Sequence, residues 1–219
     1  MCLLNVIDSS INPRFREVSH DVGILMLVLA LCVIASGPAA HGQGTSLTIP
    51  DVDVVTTERD TVSIQSLTGK SATVLLFWSN QCPWVDRYEA RVRNLTEKFA
   101  EDGVRFILVN SNDASLYPDE SVEKNAERVA FASRSVPYVS DPSGQVAAAV
   151  DATRSPHAFV FDHSRGGRLV YTGAIDDSPA AAANVEEAYL EQVINAVLAG
   201  ETVPFGETKA FGCTIRSGN

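Results

Sequence analysis

Several things are scarce in this 219-residue sequence, and each scarcity narrows what the chain can be. Positive charge is short: 17 Lys and Arg stand against 27 Asp and Glu, a formal net charge of −10. That balance argues against nucleic acid and against an anionic membrane surface as partners. Its four histidines, His20, His41, His157 and His163, show no metal-ligand spacing, so no metal and no other cofactor is predicted. There is no internal repeat. The apolar run at residues 22–35 falls short of the roughly 20 residues that a membrane span needs. Cysteine is the scarcest reactive group: Cys2, Cys32, Cys82 and Cys213 lie far apart.

That apolar run is instead the right length for the core of a secretory signal, and Ser36-Gly37-Pro38-Ala39-Ala40 follows it with small residues suited to cleavage. Residues 1–40 therefore read as a signal peptide or leader, 41–46 as a linker, 47–201 as the folded domain, and 202–219 as a tail that packs partly on it. Export to a periplasmic or extracellular space is expected, with the leader as a membrane anchor if it is not cleaved. Glu17 and Asp21 sit where a signal normally carries positive charge, so either the true start lies downstream of Met1 or the segment stays as an anchor. Cys2 and Cys32 go with the leader. Cys82 and Cys213 remain, as one disulfide or as two separate thiols.

The centre of the domain is the stretch from Thr73 to Val85. It opens as an apolar, β-favouring run, breaks at Ser79-Asn80-Gln81, and continues as a helix whose Val85, Tyr88, Val92, Leu95 and Phe99 are spaced to line one face. Pro83 suits the first helical position, which places Cys82 at the cap. Unpaired N–H groups and the positive end of the helix dipole then face the sulfur and favour the thiolate, the reactive form.

Around this centre, Thr61-Val62-Ser63-Ile64 reads as a short strand, Asp102-Gly103 as the stop of the central helix, and residues 104–109 as a second buried strand, giving a right-handed βαβ unit. A helix is expected around 121–131, an extended segment at 137–141, a short helix at 144–150, an antiparallel hairpin from 157–162 and 169–172, and a last helix at 184–198 ended by Gly200.

These residues carry a family resemblance. The segment Phe77-Trp78-Ser79-Asn80-Gln81-Cys82-Pro83-Trp84-Val85 resembles the active-site segment of thioredoxins, and Ser155-Pro156 resembles their cis-proline position. Together with Asn110-Ser111-Asn112-Asp113, the run from Ser155 to Asp162, Tyr171-Thr172-Gly173-Ala174-Ile175-Asp176-Asp177 and Phe211-Gly212-Cys213-Thr214-Ile215, the chain resembles a peroxiredoxin-like (redoxin) branch of the thioredoxin-like superfamily over about residues 47–216. The resemblance implies an α/β, thioredoxin-like fold with a central mixed sheet flanked by helices. It also departs from the pattern in two places. Val85 stands where a thioredoxin has its second cysteine, which excludes a Cys-x-x-Cys disulfide, and Leu75 and Ser79 stand where a peroxiredoxin motif would put proline and threonine.

What the resemblance implies is thiol chemistry, with Cys82 as nucleophile toward a disulfide or a peroxide and an external thiol as reductant. Cys213 is the internal candidate for a resolving cysteine; a buried, inert cysteine is the alternative. Pro83, Trp84, Ser155 and Pro156 would line a substrate groove, in which the Ser155 backbone pairs with an extended partner. Asn112, Asp113, His157 and Asp176 are candidates for lining the site, with turn or capping duty as the competing role. The leading expectation is an exported thiol oxidoreductase; a weak hydroperoxide reductase and a non-catalytic binding module are the alternatives.

Overall fold

The computed structural model describes residues 47–129 and 136–218. The leader, the linker, Cys2, Cys32, the end of the helix expected around 121–131, and Asn219 lie outside the described residues. Among the described residues no helix is long and apolar enough to cross a membrane.

Nine strands and four α-helices are present in the described chain: β1 (Asp53–Val55), β2 (Thr61–Ser63), β3 (Ala72–Phe77), α1 (Pro83–Lys98), β4 (Val104–Asn110), α2 (Val122–Val129), β5 (Tyr138–Ser140), α3 (Gln145–Val150), β6 (Arg154–Ser155), β7 (His157–Asp162), β8 (Arg168–Gly173), α4 (Tyr189–Ala199) and β9 (Cys213–Thr214). Seven strands form one mixed sheet in the order β2-β1-β5-β4-β3-β7-β8. β3 and β4 are parallel with Ala72 opposite Val104 and Phe77 opposite Val109, which is the expected βαβ unit around α1. β7 and β8 are the expected antiparallel hairpin.

The central strand explains itself by burial. Every residue of β3 is buried, so it reads as a continuous apolar run, and its side chains alternate between two cores. Val74 and Leu76 face Val85, Tyr88, Val92 and Leu95 of α1 and Leu190, Val193, Ile194 and Val197 of α4. Leu75 and Phe77 face Ile107, Val139, Phe159 and the α3 residues Val146, Ala147 and Val150. At about 1.5–3 kcal/mol for each fully buried large apolar side chain, these two layers hold the sheet between its helices. Gly103, at φ 74°, turns the chain out of the segment after α1 and into β4, where a left-handed conformation favours glycine.

The last helix begins later than its periodicity predicts. A short 3-10 turn occupies Ala182–Asn184, and α4 starts only at Tyr189. The intervening backbone is taken up elsewhere: Asp177 donates its N–H to the Glu187 carbonyl at 3.1 Å, and Leu190 donates to the Ile175 carbonyl at 3.0 Å.

Candidate active site

β3 ends at Phe77, and the Trp78 N–H donates to the Val109 carbonyl at 2.9 Å, continuing the parallel ladder one residue further. The chain then breaks for Ser79-Asn80-Gln81 and enters α1 with Pro83 in the first turn and Cys82 as the cap, in an extended conformation with no side-chain capping bond. Val85 and Asp86 turn their N–H groups back to the Cys82 carbonyl, at 2.9 and 3.4 Å. The sulfur of Cys82 thus lies at the positive end of a 16-residue helix, as the sequence suggests.

Cys82 is joined to Cys213 by a disulfide, with the Cα atoms 5.9 Å apart across a sequence separation of 131. The tail delivers Cys213 as part of β9, which pairs antiparallel with β6 so that Ser155 stands opposite Cys213 and Arg154 opposite Thr214. The Ser155-Pro156 bond is cis. Ser155 therefore pairs its backbone with the chain's own tail, where an external extended partner was expected. Trp84 meets the same segment: its ring packs edge-on against Phe211, centroids 4.7 Å apart. The groove expected between Trp84 and Pro156 is filled from within.

Gly212 makes this fit achievable. A Cβ there would fall inside contact distance of the Ser155 carbonyl and the Pro156 nitrogen, so only glycine lets the tail lie this close. Beyond Cys213, Ile215 donates its N–H to the Thr153 carbonyl at 3.1 Å and packs on the α3-side core. The Arg216 N–H then donates to the Asn112 side-chain oxygen at 3.0 Å, and the Asp113 N–H donates to the Arg216 carbonyl at 2.8 Å. Asn112 and Asp113 hold the tail. Asn112 also lines the cavity of about 100 Å³ beside the disulfide, together with Ser79, Gln81, Tyr117, Glu120 and Arg216.

Glu120 is the residue that sequence reasoning missed. Its carboxylate, almost wholly buried, accepts from Ser79 Oγ at 2.5 Å, from the Asn80 N–H at 2.8 Å, from the Gln81 N–H at 3.3 Å and from Asn110 Nδ2 at 2.8 Å. Asn110 in turn accepts through Oδ1 from the backbone N–H and side-chain amide of Asn112, at 3.1 and 2.9 Å. A buried carboxylate satisfied by several donors is rigid, so this network fixes the cysteine loop and links it to the residues that grip the tail. A lone Glu in a polar loop carries no periodic signal.

Two sequence candidates lie elsewhere. Asp176 is buried against α1, accepting from Tyr88 at 2.9 Å and from Arg91 at 2.6 Å, and does not line the cavity at the disulfide. Burial, reinforced by the bond to Asp176, raises the Tyr88 hydroxyl pKa well above its usual range. His157 shares a hydrogen bond with Thr172 through Nε2 at 3.0 Å, while its Nδ1 has no partner among the described residues. It opens on a different cavity, with Asp151, Arg154, Glu207 and Thr208, and burial lowers its pKa to about 4. It is not placed to act as a base at Cys82.

Comparison with known proteins bears on the family and the fold. Residues 44–193 match the Redoxin family model. No curated protein matches the chain. Among solved structures, a hypothetical protein from Sinorhizobium meliloti 1021 is 29% identical over 79% of this chain and 94% of its own, with a TM-score of 0.72. An uncharacterised conserved protein from Geobacillus kaustophilus is likewise 29% identical, over 78% of this chain and 90% of its own, also with a TM-score of 0.72. A candidate thiol:disulfide interchange protein DsbE from Chlorobium tepidum is 22% identical over 70% of this chain and 96% of its own, with a TM-score of 0.53, which speaks for the fold alone. With a helix-capping cysteine at the end of the central strand, a cis-proline strand beside it and the family match over most of the chain, this protein belongs to the redoxin family, in the thioredoxin-like superfamily.

Proposed function

We propose that this protein is an exported thiol–disulfide oxidoreductase that works through the Cys82–Cys213 couple. The observation that carries the reading is the pairing itself: a cysteine at a helix N-terminus bonded to one brought by a separately anchored tail. The helix end favours the Cys82 thiolate on reduction, and the Ser155 carbonyl oxygen lies 3.1 Å from the same sulfur, which within the disulfide has no proton to donate. Oxidation takes two electrons from the two thiols and forms the bond; a dithiol partner, or two external thiols, returns them. Export is part of the proposal and rests on the apolar run at 22–35 with the small residues that follow it.

Mass spectrometry of the mature protein, reduced and then exposed to one equivalent of hydrogen peroxide or to oxidised glutathione, tests this. Loss of two hydrogen atoms that requires both cysteines, abolished in Cys82→Ser and Cys213→Ser, is expected. Retention of both free thiols after oxidation would remove the couple, and a stable gain of oxygen on Cys82 with Cys213 left free would point to peroxide chemistry in its place.

A further inference from the structure

The two sulfurs of the couple are not equivalent to an incoming reagent. Cys82 is only 1% exposed and belongs to the core that joins β3, α1 and α4. Cys213 is only partly buried and sits on β9 at the surface of the groove. Thiol–disulfide exchange is an in-line displacement: the entering thiolate approaches one sulfur from the side opposite the other, and access decides which sulfur is attacked. Both cysteines line the cavity of about 100 Å³ beside the disulfide, but Cys82 is the buried member of the pair and Cys213 the partly exposed one.

The leaving group points the same way. Attack on Cys213 expels Cys82, whose departing negative charge forms at the N-terminus of α1, and a better stabilised thiolate leaves faster. Attack on Cys82 would expel Cys213, which lies in a two-residue strand and is not itself the cap of a helix.

The tail is also held by contacts other than the disulfide. Before Cys213, the Thr208 N–H donates to the Thr172 carbonyl at 3.0 Å, and Thr208 shares a hydrogen bond with Tyr171 at 2.6 Å. After it, the tail is held by the Ile215 and Arg216 bonds to Thr153, Asn112 and Asp113. The edge of Ser155 that an external strand would use is occupied by β9.

We infer that Cys213 is the sulfur that exchanges with the external thiol, so that the mixed disulfide is carried on the tail, and that Cys82 is the buried thiolate that leaves and returns. This rests on the thiol-couple reading above. In the reductive direction, an external thiolate attacks Cys213 Sγ, a new sulfur–sulfur bond forms, the Cys82–Cys213 bond breaks, and Cys82 departs with the electron pair. A second external thiolate then attacks the external sulfur of the mixed disulfide, releasing the oxidised external pair and leaving Cys213 as thiolate. In the oxidative direction, the Cys213 thiolate attacks an external disulfide and expels one external thiolate. Cys82 thiolate then attacks Cys213 Sγ, re-forms the internal bond and expels the other.

The test is mixed-disulfide trapping in the two single-cysteine variants. Reduced, folded Cys82→Ser and Cys213→Ser are each treated with the aromatic disulfide dithiobis(nitrobenzoate), and release of nitrothiobenzoate is followed. Cys213 in Cys82→Ser is expected to react at least about tenfold faster than Cys82 in Cys213→Ser; equal rates, or a faster Cys82, overturn the inference. As a second readout, Cys213 in Cys82→Ser is expected to react with the same disulfide within about tenfold of its rate in denaturant, as an accessible thiol does. A Cys213 that reacts only after unfolding overturns it. Wild-type protein that contains no Cys82–Cys213 bond would instead defeat the couple itself, and its intact mass taken before reduction tells the two failures apart.

Discussion

Asn112 accepts the backbone N–H of Arg216 through its side-chain oxygen at 3.0 Å, so the loop after β4 fixes the tail just beyond Cys213. The same side chain donates to Asn110 Oδ1 at 2.9 Å, and Asn110 in turn donates to Glu120, which holds the cysteine loop. Asn112→Ala removes both hydrogen bonds, of which the one that holds the tail is worth about 1 kcal/mol. The Cys82–Cys213 bond is therefore expected to become roughly fivefold less favourable against a glutathione buffer. An unchanged equilibrium in a variant with native circular dichroism would deny the loop this role.

Gly212 lies against the Ser155 carbonyl with no room for a Cβ. Gly212→Ala must push the tail away from β6, at a cost of about 1–3 kcal/mol, typical of overpacking. Slower closure of the disulfide after reduction, followed by quenched alkylation, is the expected result. Phe211→Ala, which removes only the edge-on contact with Trp84, is expected to slow closure less.

Asp176 answers for stability. Its pairing with Arg91 is largely buried, and it also accepts from Tyr88, so Asp176→Ala leaves the Tyr88 hydroxyl without this partner and Arg91 without its carboxylate, held only by the Ser178, Pro179 and Arg87 carbonyls. Loss of about 3 kcal/mol in urea unfolding is expected, with the exchange rate of the cysteines unchanged. A variant of wild-type stability and altered thiol reactivity would return Asp176 to the site.

His157 makes stability depend on pH in a predictable direction. Burial holds its pKa at about 4 in the folded chain, below the ordinary 6.5. The unfolded chain therefore takes up a proton first as pH falls. The stability from keeping the ring neutral is fully present above about pH 6.5 and is lost as pH drops toward 4, amounting to about 3 kcal/mol. His157→Gln is expected to flatten the wild-type slope in that window, measured as the difference between the two denaturation series; identical slopes would contradict it.

The parts of the fold legible in the sequence are those whose signal is local. β3, α1 and β4 could be read because Val74 to Phe77 form an unbroken apolar run and Val85, Tyr88, Val92 and Leu95 repeat at helical spacing. β1 could not, since Asp53–Val55 is three residues long, and its turn to β2 uses Arg59 at φ 70° where a glycine would have signalled it. The start of the last helix was misplaced because the periodicity from Val185 onward is real, while the backbone there is claimed by Asp177 and Ile175. At the site, Cys82, Pro83 and the cis-proline strand could be read from type and order. That Asn112 and Asp113 grip Arg216, and that Glu120 organises the loop, depends on contacts between distant segments, which no local pattern records.

The bond between Cys82 and Cys213 closes a covalent ring around most of the domain, from the end of the central strand to the last strand of the tail. On the chain-entropy view, a ring of this length disfavours the unfolded chain by about 5 kcal/mol. A thermodynamic cycle then requires the converse: the folded domain draws its own two thiols toward oxidation by the same amount relative to the unfolded chain. Every contact that seats the tail, from Thr208 to Arg216, is in that sense part of the redox centre. Substitutions far from either sulfur can therefore tune how readily the protein gives up electrons.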